Sequence, residues 1–84
     1  MNRDEIVARL KEIIVMVMPE IEARLDTIGE DDDLHTELGL NSIGLLYIVI
    51  SIETAFDISF DGVSFSDFNT VSDIINYIEK NVKQ

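Results

Sequence analysis

Leu38-Gly39-Leu40-Asn41-Ser42-Ile43, followed without a break by Gly44-Leu45-Leu46-Tyr47-Ile48-Val49-Ile50-Ser51-Ile52-Glu53-Thr54-Ala55-Phe56, is the stretch that decides the fold. Gly39 permits a sharp turn after an apolar anchor, Leu38. Asn41 and Ser42 are both good N-cap types, so a helix begins at one of them and runs to about Phe56. Leu45, Ile48, Val49, Ile52 and Phe56 recur at helical spacing and form an inward stripe. Ile43, Leu46, Tyr47 and Ile50 form a second stripe beside it. A helix apolar nearly all round is either wholly buried or turns its second face to something else. A chain of 84 residues can hardly wrap a helix completely. The second stripe is therefore a candidate docking face, with central burial as the alternative.

Working outward, the N-terminal side predicts another helix. Asn2 is its cap, with Glu5 placed to complete a capping box, and Ile6, Leu10, Ile13, Ile14 and Val17 share one face. Pro19 ends it. Pro19 to Asn41 then reads as a long packed loop pinned by Ile21, Leu25, Ile28, Leu34 and Leu38. On the other side, Asp57 to Asn69 reads as irregular. Gly62 is a breaker there, and one short helical turn holds Phe65 and Phe68. A strand at Asp57 to Phe60 is conceivable but without a partner. The last helix opens on Thr70 with Asp73 as a second capping box and buries Val71, Ile74, Ile75, Ile78 and Val82. Lys80 and Lys83 suit the negative end of its dipole. The expected fold is all-α: a small four-helix bundle of three main helices and one short one, as a single domain over residues 1–84.

Composition narrows the function. Seventeen acidic residues stand against six basic ones, a net charge of −11, and none of the basic residues lies between Leu25 and Glu79. That balance argues against binding nucleic acid or anionic membranes and for fast encounters with basic partners. There is no cysteine, and the longest apolar runs are too short to span a bilayer. The N-terminus does not read as a signal peptide, so the expectation is a cytoplasmic monomer.

Sites of direct chemistry find little support. Asp57, Ser59, Asp61 and Gly62 fit the first half of a calcium loop, but Phe68 stands where the bidentate carboxylate belongs. The run Glu30-Asp31-Asp32-Asp33 reads as a solvated acidic loop, and no metal site is expected. Ser42 and Gly44 match half of a nucleophile elbow, yet Leu40 replaces its first glycine. His35, the one histidine, reads as an ordinary loop residue, so no catalytic residue is assigned. Ser42 is left at a loop–helix junction beside the positive end of a helix, where an anion on its oxygen is stabilised.

At this point the residues resemble a known family. Leu38-Gly39-Leu40-Asn41-Ser42-Ile43, with an apolar helix closing on Glu53-Thr54-Ala55-Phe56-Asp57, is similar to the acyl carrier protein family, whose mark is Asp-Ser-Leu after a Leu-Gly turn. Phe68-Asn69-Thr70-Val71 through Ile74, Tyr77 and Ile78 resembles that family's threonine-capped last helix, so the likeness covers essentially the whole chain. It implies that Ser42 carries 4'-phosphopantetheine, donated by coenzyme A. A separate phosphopantetheinyl transferase, which brings its own magnesium and base, attaches it. The arm's thiol would hold an acyl or aminoacyl group, making the chain a shuttle between acyl-loading and acyl-processing enzymes and not itself an enzyme. An apolar cavity lined by the inward stripe of the second helix is expected to shelter the cargo.

Three departures shape the expectation. Asn41 stands where the family has Asp, Ile43 replaces Leu, and Tyr47, Thr54 and Ala55 occupy positions that are often acidic. Docking should then rest on Asn41, Ile43, Leu46, Tyr47, Ile50 and the single acid Glu53, with Tyr47 at its centre. This points to a specialised fatty-acid, polyketide or related pathway. The alternatives are an aminoacyl or peptidyl carrier, or an unmodified carrier-fold protein that binds a partner through the same patch.

Overall fold

A computed structural model describes residues 2–63 and 67–82. Helix α1 spans Arg3–Val17, α2 Ser42–Phe56 and α3 Val71–Asn81, with a 3-10 helix, Pro19–Thr27, between the first two. Among the described residues there is no strand, only an isolated antiparallel bridge between Asp33 and Thr70. The chain is all-α, as expected.

Asn2 caps α1 by accepting the Glu5 N–H at 2.8 Å; Asn2 supplies that half of the expected capping box. Pro19 stops α1 and also starts the next element, a 3-10 helix where the sequence pattern predicts a packed loop. Proline's fixed φ suits a first helical position, and its missing N–H is one that such a position leaves unpaired anyway. The Ile21 N–H donates to Met18 O at 2.9 Å, and the Ile21 side chain is buried.

The apolar pins of the following segment hold it down. Leu34, Leu38 and Leu40 are buried in the common core, and Leu25 and Ile28 pack against it. Backbone bonds fasten the same segment to the start of α3: Leu34 N to Asn69 O at 2.8 Å, Val71 N to Asp32 O at 3.1 Å, and Ser72 N to Glu30 O at 2.7 Å. The last two satisfy first-turn N–H groups that a helix cannot satisfy itself. The Thr70–Asp73 capping box forms in full.

After α2, Phe60 is buried and its ring stacks on Tyr77, with centroids 4.4 Å apart, while Phe68 meets both edge-on. The Tyr77 hydroxyl donates to Ser59 O. The short turn expected around Phe65 and the Lys83 charge lie outside the described residues. Arg3 donates to Glu30 and Glu79 and to Asn76 Oδ1 at 3.0 Å, joining α1, the acidic loop and α3.

Candidate functional site

The segment before α2 is a fixed scaffold. Asp33 Oδ1 accepts the N–H groups of His35 at 2.7 Å and Thr36 at 2.9 Å, and these two bonds, Thr36's foremost, hold the Asp33 carboxyl below the ordinary Asp value. His35 Nδ1 lies 3.2 Å from Leu40 O, and Leu40 N donates to Leu34 O at 3.0 Å. His35 thus takes part in fixing the turn that delivers Ser42. Gly39 takes φ +76°, a left-handed conformation that the sharp turn requires.

Asn41, not Ser42, caps α2. Its Oδ1 accepts the Gly44 N–H at 2.8 Å and its carbonyl accepts the Leu45 N–H at 2.9 Å. Ser42 is therefore the first residue of the helix, exposed, with its hydroxyl released from capping. The N–H groups of Ser42 and Ile43 have no partner within the helix by geometry, so a phosphate ester on Ser42 Oγ would sit at the positive end of the dipole. Gly44 has a steric reason as well as a permissive one: a Cβ there would meet Leu40 Cδ2 at 3.1 Å and the capping Asn41 oxygen at 3.5 Å.

Beyond the serine, the inward stripe of α2 is buried and the second stripe is not. Ile43 is 64% exposed, Leu46 42%, Tyr47 58% and Ile50 48%. Central burial, the alternative reading, does not occur. Met16 on α1 is also 66% exposed, a residue the sequence pattern did not single out. Glu53 differs from the rest of the expected docking set. It is half-buried, and its Oε2 accepts the Phe60 N–H at 2.8 Å, so this carboxylate braces the turn after α2.

An open groove of about 230 Å3 flanks the serine, where the end of α1 and the start of the 3-10 helix meet α2. Val17, Met18, Glu20, Leu40, Ile43 and Tyr47 are among its walls. A more enclosed cavity of about 180 Å3 lies between α1, residues 25–30 and α3, lined by Leu10, Ile14, Leu25, Ile28 and Val71. No α2 residue lines it, so this is not the cargo cavity expected along the inward stripe. That stripe is buried, with Leu45, Ile48 and Ile52 each at most 2% exposed.

The acidic run is held by local bonds. Glu30 pairs with Arg3, Asp32 accepts the Gly29 N–H, and Asp33 holds the turn just described. Among the described residues, no group of three or more metal-ligating side chains is arranged to hold an ion. None of their helices is long and apolar enough to cross a membrane.

Comparison with known proteins shows the family. The family model described as "Phosphopantetheine attachment site" matches residues 8–78. The chain is 32% identical over 79 residues to an acyl carrier protein of Thermotoga maritima, covering 94% of each. It is 31% identical over 71 residues to an acyl carrier protein of Onion yellows phytoplasma, covering 84% of this chain and 93% of that one. Among solved structures, the apo doublet acyl carrier protein from prodigiosin biosynthesis superposes with a TM-score of 0.64 at 22% identity, over 95% of this chain and 39% of that one. That last likeness concerns the fold.

Proposed function

The chain belongs to the acyl carrier proteins of the phosphopantetheine-attachment family, and from that premise we propose that it is a single carrier domain with its arm on Ser42. 4'-Phosphopantetheine is the covalent group of this family, and it supplies a thiol that holds acyl cargo as a thioester. The rest of the task falls to the protein's own residues. Asn41 caps the helix and so frees the Ser42 hydroxyl for esterification. The His35–Leu40 turn and Gly39 hold that hydroxyl outward for a phosphopantetheinyl transferase. The first-turn N–H groups of α2 stabilise the phosphate once it is attached.

The apolar patch of Ile43, Leu46, Tyr47 and Ile50 then selects the enzymes that load and process the cargo. Asn41 and Glu53 contribute by setting the ends of the helix that bears it. Because the patch lacks carboxylates, recognition rests on apolar burial, and the surrounding acid steers the encounter. This fits a dedicated fatty-acid, polyketide or related pathway served by a monomer in the cytoplasm.

The observation that carries the proposal is the exposed Ser42, freed of capping at the first residue of α2. Incubation with coenzyme A and a broad-specificity transferase should add the mass of one phosphopantetheine to the wild type and nothing to Ser42→Ala. An equal gain in Ser42→Ala moves the site elsewhere. No gain in either favours the second reading, an unmodified protein that binds a partner through the exposed patch.

A further inference from the structure

The groove beside Ser42 shares walls with the attachment site, and its position ties it to the same residue. Asn41 and Ile43, the neighbours of Ser42 on either side, both line it. Its volume of about 230 Å3 falls below the roughly 300–1,000 Å3 of pockets that hold free small molecules. It suits one segment of a larger molecule. A segment tethered next door has an effective concentration of millimolar order, so weak contacts suffice to keep it seated.

We propose that this groove is the resting site of the uncharged middle of the phosphopantetheine arm, a reading that rests on attachment at Ser42. The arm's geminal methyls and methylene stretches match the apolar walls of Val17, Met18, Leu40 and Ile43. Its two amides each carry an N–H donor, and Glu20 supplies a carboxylate acceptor in the groove. The same negative charge repels the phosphate, which stays at the mouth of α2 with the free N–H groups. Tyr47 offers a ring wall. The alternatives are less favoured: the enclosed cavity between α1 and α3 takes no wall from residues 38–56, and the open groove beside Val63, Phe68 and Tyr77 takes none from 38–44. A seated arm runs beside Tyr47, so a partner that covers the patch also meets the arm.

The test is carbon-filtered nuclear Overhauser spectroscopy on isotope-labelled protein bearing an unlabelled arm, after intact mass confirms loading. Cross-peaks are expected from the arm's geminal methyls to the methyls of Val17, Met18 and Leu40. They should be lost in loaded Tyr47→Ala with helical circular dichroism unchanged. Full loading with no such cross-peaks, or with cross-peaks to Val63 and Tyr77 instead, overturns the groove and leaves attachment standing. Failure to load overturns attachment, and the groove reading with it.

Discussion

Asp33 and Thr70 face each other in an isolated antiparallel bridge, so the acidic segment before the serine is bonded to the cap of the last helix. Thr70 Oγ1 accepts the Asp73 N–H at 3.3 Å, and the bonds from Leu34 to Asn69 and from Val71 to Asp32 flank the bridge. Thr70→Ala therefore removes a cap at the point where the loop is fastened. Urea unfolding should show a loss of about 1 kcal/mol, with a fall of about 4–8 °C in Tm. An unchanged midpoint contradicts this role.

Two carboxylates make the fold acid-sensitive. Asp73 is held below the ordinary Asp value by the Asn69 N–H and then the Thr70 N–H, and Asp33 by Thr36 and then His35. A depressed folded-state pKa adds stability above the unfolded value of 3.8, and that stability is lost as pH falls through the folded values. Protonation also relieves the repulsion of a chain with net charge −11, which works the other way. The readout is therefore the difference between wild type and Asp33→Asn/Asp73→Asn. Wild type should have the higher urea midpoint at neutral pH, and the two should converge below about pH 4. A constant gap down to low pH would count against both bonds.

Asp57 ends α2 in the left-handed region, with φ 54°, and places a negative charge at the negative end of the helix dipole. Asn tolerates the same backbone without the charge. Asp57→Asn should gain about 0.3–1 kcal/mol, more in low salt than in high. A loss would mean the carboxylate has a compensating partner.

Gly39→Ala meets nothing within 4 Å, so its cost comes from φ +76° alone. About 1–2 kcal/mol of destabilisation is expected. Because the strain is local to the turn that carries Ser42, transferase loading should also slow. Loading at the wild-type rate in a destabilised Gly39→Ala would separate the turn from the site.

Tyr47→Ala should leave stability within about 0.5 kcal/mol, since the side chain is 58% exposed. Its effect should appear in partner affinity, by about 2 kcal/mol if Tyr47 is the anchor of the patch. Surface plasmon resonance against a cognate loading enzyme measures this, and unchanged affinity removes Tyr47 from the docking face.

Much of this was legible in the residues. The bounds of α2 follow from a cap type at Asn41 and the end of the apolar period at Phe56, both local signals. Pro19 carries two signals, and the stop to α1 masks the start of the 3-10 helix that the same fixed φ allows. The contact between Glu53 and the Phe60 N–H was not legible, because no local pattern tells a carboxylate which backbone donor the chain will bring back to it. The exposure of Ile43, Leu46, Tyr47 and Ile50 depended on which side of α2 the core lies, a tertiary fact. The groove is hidden for the same reason, since it exists only where the end of α1 meets the start of α2.

The Arg3 cluster, with Glu79 and Asn76 of α3, lies at the head of α1, while Val17 and Met18 at its foot meet the flanks of Ser42. Arg3 and Val17 are the two ends of the fifteen-residue helix, a rigid strut of about 21 Å. A surface anchor or reporter joined ahead of Arg3 therefore stands a full strut away from the hydroxyl. Immobilised in that way, the protein keeps Ser42 pointed into solution, within reach of a transferase that never touches the support.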